Sequence, residues 1–392
     1  MNEKAFIIEN ITIYAERETI LNGYIKVEHG KIKSFGQANH GVAQDREAVY
    51  PTPDNLTLLP GMIDVHIHGA NGADTMDATP EALTVMAEAL PKEGTTSFLA
   101  TTITQDSHLL EKAIKNAGDY IRSNAHPRQA EVLGIHLEGP FLNAKRAGAQ
   151  PPHAILDPNI NLFKEWNELA QGTIKLVTLA PEKEGGRDLV RYLSEQGIVA
   201  SIGHSDATYE EVLEAVENGA THATHLFNGM RGLHHREPGV VGAVLLSDHL
   251  KAEIIADGHH VRPEMIKLAY KQKRDEGLIL ITDAMRAKCL KNGRYDLGGQ
   301  DVYVKDGKAL LENGTLAGSV LSMNDALRNI QAYTECTLES AVKMAAENPA
   351  KQLGVFDRKG SIAVGKDADF ILLNEDGDVV MTFCKGTLAY SR

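Results

Sequence analysis

Leu59-Pro60-Gly61-Met62-Ile63-Asp64-Val65-His66-Ile67-His68-Gly69 is a short apolar run opened by Pro-Gly, closed by Gly, with two histidines two residues apart. Side chains of an extended strand alternate faces, so positions i and i+2 point the same way. His66 and His68 therefore present two imidazoles side by side at a strand end. That suits a divalent metal, because a neutral imidazole nitrogen is a good ligand for zinc, iron and related ions. A bare His-x-His is also met as two ordinary histidines, so the reading depends on what the rest of the chain adds.

Outward from this stretch, short apolar segments recur at 58–66, 95–102, 131–138, 174–179, 198–204, 221–225, 252–257 and 278–283. Amphipathic stretches with helical spacing lie between most of them, at 79–92, 107–122, 187–195, 208–217 and 263–273. Strands alternating with helices imply parallel pairing. Eight such units fit a TIM-type (β/α)8 barrel, which typically takes about 250 residues; the alternative is a doubly wound open sheet. After Asp283 the pattern loosens into a hairpin-rich insertion at 292–313, with Asn292-Gly293, Asp306-Gly307 and Asn313-Gly314 as turns. Two helices are expected at 322–333 and 337–346, the second ended by Asn348-Pro349.

Both chain ends are β-rich. Segments 5–14, 20–28 and 31–35 read as strands with Asn22-Gly23 and His29-Gly30 as turns, and 369–373 and 379–383 as strands around Asp376-Gly377. Neither end is long enough to bury a core alone, so the expectation is an α/β protein of two parts. Residues 1–57 and 355–392 form a small β-sandwich domain, and residues 58–354 the barrel.

The net charge of -13 over 392 residues argues against a nucleic-acid or anionic-membrane surface. A small anionic substrate needs only one or two placed arginines. Cys289, Cys336 and Cys384 are too far apart for a thiolate metal site and odd in number, which fits a reducing cytoplasm. The N-terminus lacks an apolar signal segment, and the run 240–246 is too short to span a bilayer.

The strand ends carry the chemistry. After His66 and His68, the third segment ends in His136-Leu137-Glu138-Gly139-Pro140, the fifth in Gly203-His204-Ser205 and the sixth in His225-Leu226-Phe227-Asn228. The seventh runs into Asp257-Gly258-His259-His260, and the eighth stops at Thr282-Asp283-Ala284. In a barrel these ends meet at one mouth. Glu138, His204 and His225 read as metal ligands, His136 as supporting or structural, and His234, His235 and His259 as surface or packing histidines. His126 and His153 sit in loops without partners. Asp283 reads as a proton shuttle, since a carboxylate beside an activated water can accept its proton and pass it to a leaving amine. Metal-assisted hydrolysis of a C–N bond is the reaction class these parts imply. Arg236, in the loop after the sixth strand, either holds a phosphate or carboxylate or is simply solvated; the residue pattern leaves both open.

His66-x-His68, HLEGPF (136–141), GHS (203–205), HLFNGM (225–230), REPG (236–239), ADGHHV (256–261), TDA (282–284) and LAGS (316–319), with the GKDAD tail at 365–369, resemble the N-acetylglucosamine-6-phosphate deacetylases of the amidohydrolase superfamily. The resemblance covers essentially the whole chain. It implies that Glu138, His204 and His225 bind a principal metal and that His66, His68 and Asp283 hold a second. One or two divalent ions of the zinc, iron, manganese or cobalt class would then serve each subunit, with Asp283 as acid and base. It further implies sugar-phosphate contacts from Ala149, Gln150, Asn228, Gly229, Arg236, Asp257 and His260, and a loop of Leu316, Ala317 and Gly318 closing over the substrate. In many relatives the counterpart of Arg236 reaches the phosphate from the neighbouring subunit, which implies a homodimer or a dimer of dimers. The implied reaction is deacetylation of N-acetylglucosamine 6-phosphate in amino-sugar use and cell-wall recycling. The galacto epimer, or a cyclic amide, is the alternative substrate. One departure stands out: many members carry a substrate-contacting histidine where this chain has Gln150.

Overall fold

The computed structural model describes residues 5–38, 48–53, 55–123 and 127–392; His126 and the first four residues lie outside them. Eight parallel strands form one sheet in chain order: Met62–Ile67, Thr95–Thr101, Glu131–Glu138, Ile174–Leu179, Val199–Ile202, His222–Ala223, Lys251–Ile255 and Leu278–Ile281. The first and last meet beyond the regular ladder. Ile67 bridges Ala284, Asp283 N–H donates to the His66 carbonyl at 2.8 Å, and His68 N–H to the Ala284 carbonyl at 2.9 Å. The seam that rounds off the barrel is thus made by candidate site residues.

These strands read as continuous apolar runs because both faces are covered. In the eighth, Leu278 and Leu280 pack into the main core with the helices, while Ile279 and Ile281 join a second buried group with Ile63, Val65, Leu99 and Leu176. The helices sit where the periodicity places them, and their caps are legible: Thr208 and Glu211 form a reciprocal capping box for Tyr209–Glu217. Two helices escaped the periodicity. Ile160–Leu169 buries only Phe163 and Trp166, and Gly239–Leu246 is apolar on nearly every side. Among the described residues no helix is long and apolar enough to cross a membrane.

The expected first barrel strand is divided at Gly61. Thr57–Pro60 belongs to the small sheet, pairing in parallel with Ala5–Tyr14 and antiparallel with Phe370–Leu373, so the segment entering the barrel stitches the two chain ends together. Gly61 turns between the sheets, where a Cβ would fall 2.2 Å from Thr96 Oγ1. The small sheet continues through Thr19–Glu28 and Lys31–Gln37 on one side and Val379–Cys384 and Thr387–Ser391 on the other. It encloses Phe6, Ile8, Ile25, Phe370 and Phe383. Asn22-Gly23 is not a turn: it lies inside Thr19–Glu28, with Asn22 at φ 49° where the register slips opposite Ile11, the signature of a bulge.

The insertion is a three-stranded meander, Gly293–Leu297, Gln300–Lys305 and Lys308–Leu311. Asn348-Pro349 does not end its helix. Leu338–Val342 passes through a wide turn at Lys343–Glu347 into Asn348–Gln352, so Pro349 falls in the first turn of the last segment, where its missing N–H is not needed.

Charged groups tie the tail to the barrel. Glu131, at the start of the third strand, takes Arg358 and Lys359 at 2.9 Å and Lys385 at 3.2 Å. Asp367 takes Lys31 at 2.6 Å and Arg358 at 2.8 Å, and Asp369 pairs with Lys359.

Candidate metal-dependent active site

Six of the sequence-selected residues converge at the strand ends. Glu138 is the last residue of the third strand, and His204, His225 and Asp283 each lie two residues past a strand end. All three have left-handed backbones, with φ of 47°, 30° and 49°. Residues other than glycine seldom adopt that region, and functional sites are where it persists.

Glu138 Oε1 lies 3.2 Å from Nε2 of both His204 and His225, and those two nitrogens are 3.1 Å apart. His68 Nε2 is 3.3 Å from Glu138 Oε2 and from Asp283 Oδ1, and His66 Nε2 is 3.5 and 3.4 Å from the same two carboxylates. Two donor triads result, Glu138–His204–His225 and His66–His68–Asp283, each with its ligand atoms within 4.8 Å of one another. A third grouping, His66–His136–Glu253, is already committed: His136 Nδ1 donates to the Val65 carbonyl and Nε2 pairs with Thr178 Oγ1. His136 is therefore structural.

The protonation pattern suits a cation. Burial opposes charge on His68, but Asp283 and Glu138 outweigh it and lift its pKa to about 9. His66 is raised well above its ordinary value against the same burial, by Asp283, Glu253 and Glu138. Burial pushes Glu138 up, yet His66, His204 and His225 hold it well below the usual carboxylate range. His66 Nε2 is buried with no hydrogen-bond partner. His204 donates Nδ1–H to the Arg146 carbonyl at 2.8 Å, which turns its Nε2 lone pair inward. Imidazole nitrogens and carboxylate oxygens with their lone pairs converging fit a divalent metal.

The triads open on a cleft of about 260 Å³ lined by Ala149, Gln150, Asn228, Gly229, His260, Leu316 and Gly318 among others. Asp257 stands behind His260 rather than in the wall. Its carboxylate accepts His260 Nδ1–H at 2.6 Å and the backbone N–H groups of His259 and His260 at 2.8 Å. Burial works against charge on His260, but Asp257 overrides it and raises the pKa. Ala317 is buried in the apolar cluster with Met285 and does not line the cleft. Arg236 is exposed outside it, with Nη1 2.7 Å from His235 Nε2. Gln150 is bonded to Glu138, its Nε2 donating to Oε2 at 2.7 Å.

Three participants were not foreseen. Leu297, from the insertion, lines the cleft. Thr104 anchors Gln150. Glu253, fully buried, accepts from His66 and His222; its signal was a lone carboxylate inside the apolar run 252–256.

A parallel eight-stranded barrel with imidazoles and carboxylates gathered at its strand ends is the architecture of a metal-dependent hydrolase, and the chain belongs to the amidohydrolase family, whose model matches residues 57–389. Within that family it is similar to the N-acetylglucosamine-6-phosphate deacetylase of Bacillus subtilis (strain 168), with 47% identity over 388 residues, 99% of this chain and 98% of the relative. It is also 38% identical over 348 residues to the N-acetylgalactosamine-6-phosphate deacetylase of Escherichia coli O157:H7, 87% of this chain and 92% of the relative. A variant of the Mycobacterium smegmatis N-acetyl-D-glucosamine-6-phosphate deacetylase, solved in complex with N-acetyl-D-glucosamine-6-phosphate, superposes with a TM-score of 0.92 at 30% identity, covering 99% of this chain and 100% of that one.

Proposed function

We propose that this protein hydrolyses the acetamide of N-acetyl-D-glucosamine 6-phosphate to D-glucosamine 6-phosphate and acetate, in amino-sugar catabolism and cell-wall recycling. The observation that carries the reading is the convergence of both donor triads and His260 on one cleft, in a chain with this family's sequence over nearly its whole length. Glu138, His204 and His225 are the principal ligands, and His66, His68 and Asp283 the second set. One or two divalent ions held there would polarise the acetamide carbonyl and lower the pKa of the attacking water.

The chain's own residues do the rest. Asp283 takes the proton from the water and returns it to the amine nitrogen as the C–N bond breaks. His260, whose Nδ1–H is held by Asp257 and whose charged form that carboxylate favours, offers Nε2–H to the carbonyl oxygen as negative charge develops there. Asn228 and Gly229 shape the sugar subsite, and Leu316 and Gly318 form its cover. Arg236, exposed and outside its own cleft, serves the phosphate of a partner's site in a homodimer. The small β domain, built from both chain ends and including Thr57–Pro60, buttresses the barrel that starts at Met62. Free Cys289, Cys336 and Cys384 fit a cytoplasmic protein.

Acetate release from N-acetylglucosamine 6-phosphate, the galacto epimer and the unphosphorylated sugar tests this, with chelated protein and Asp283→Asn as controls. Release from the gluco phosphate, lost in both controls, is expected. Release from the galacto epimer alone, in line with the Escherichia coli relative, would move the substrate and keep the mechanism. No release from any sugar by metal-replete protein would overturn the reading.

A further inference from the structure

We propose that Glu253 is a positioning residue common to both donor triads, holding one ligand of each through a single carboxylate oxygen. The inference rests on the reading above, in which His66 and His225 are metal ligands.

Glu253 lies within Lys251–Ile255 and is wholly buried. Its Oε2 is 2.9 Å from His66 Nδ1 and 2.9 Å from the backbone nitrogen of His225. Its Oε1 is 3.0 Å from His222 Nε2. An ionised carboxylate only accepts, so all three partners must donate. His66 then carries a proton on Nδ1, which makes Nε2, facing Glu138 and Asp283, the nitrogen that a metal would take. A histidine whose far nitrogen is held by a carboxylate is fixed in both tautomer and ring orientation.

The bond to His225 acts on the backbone instead. His225 sits at φ 30°, and the left-handed turn that aims its imidazole at Glu138 is pinned where its N–H meets Glu253. His222, donating to the other oxygen, keeps the carboxylate from rotating to favour one ligand over the other. His66 belongs to one triad and His225 to the other, so a disturbance at Glu253 reaches both.

Zinc uptake by the full chain, measured by equilibrium dialysis against a graded chelator, tests this in the wild type and in Glu253→Gln. The substitution keeps the shape but sets an NH2 group against a donor. Weakening of every zinc equivalent the wild type takes up, by about 10- to 100-fold, is expected, with the far-UV circular dichroism of the metal-free protein unchanged. A folded Glu253→Gln protein with wild-type zinc affinity, or with loss confined to one of two equivalents, would overturn the inference. Side-chain nitrogen NMR of the metal-free wild type provides a check that needs no folded variant. The His66 resonances, assigned by their loss in His66→Asn, should report a proton on Nδ1 whether or not Nε2 also carries one, and an Nδ1 without a proton would sink the idea. Wild-type protein that takes up no zinc, or any other divalent ion of the class, would instead sink the metal reading itself.

Discussion

Gln150 is fixed at both ends of its amide: Nε2 donates to Glu138 Oε2 at 2.7 Å, and Oε1 accepts the Thr104 backbone N–H at 2.9 Å. A side chain held this way sets the rotation of the Glu138 carboxylate, leaving Oε1 for His204 and His225. In this chain the position marked by the family's substrate-contacting histidine has turned toward the donor set. Gln150→Ala should therefore lower metal affinity about 10- to 100-fold, as well as kcat/KM. Metal content after dialysis, measured beside the kinetics, checks this. A rise in KM alone, with full metal content, would make Gln150 a substrate contact only.

The Asp257–His260 pair predicts a pH effect. Asp257 raises the His260 pKa against burial, so the imidazole remains a charged donor to higher pH than an isolated histidine. Asp257→Asn keeps a hydrogen-bond acceptor but removes the charge. The alkaline limb of the kcat/KM profile should move to lower pH, while His260→Asn should cost about 10²–10³ in kcat. An alkaline limb that stays in place would show that another group sets it.

Much of this architecture was legible before the structure. The barrel strands announced themselves because burial on both faces makes them largely apolar, and six of the eight run into a residue whose chemistry has no use in a core. What was hidden was non-local. Nothing near Leu58 says that 57–60 pairs with a strand more than 300 residues away, because an apolar run reads alike in either sheet. Asn22-Gly23 has turn chemistry, yet the same left-handed preference serves a bulge. The Gly239–Leu246 helix lacks amphipathic contrast because it is covered on nearly every side. Glu253 was visible as a carboxylate in an apolar run, but its partners lie on two other segments, the first and the sixth.

Gly229 lines the cleft at φ +59°, and a Cβ there would stand 2.9 Å from His204 Nδ1, the atom that donates to the Arg146 carbonyl. Gly229→Ala combines a left-handed alanine, costing about 1–2 kcal/mol, with pressure on a ligand's orienting bond. Activity and metal affinity should fall more than tenfold while the melting temperature drops only by a few degrees. Metal titration beside a thermal melt separates the two effects. Stability loss with unchanged metal affinity would mean that His204 yields without consequence.

Glu131 should set part of the acid limit of stability. Burial alone would raise its pKa, but Arg358 and Lys359 hold it at about 2 against an ordinary 4.5. Between those values the unfolded chain binds the proton and the folded chain does not. Its contribution is therefore complete above about pH 4.5 and drains away as the pH falls toward 2. The shift corresponds to about 3 kcal/mol. Glu131→Gln should be less stable at neutral pH by about that amount, since it leaves the buried Lys359 short of a partner at the junction of tail and barrel. Denaturant unfolding of both proteins from pH 7 to 3 should show the gap narrowing below about pH 4.5. A gap that stayed constant with pH would trace the loss to packing rather than to charge.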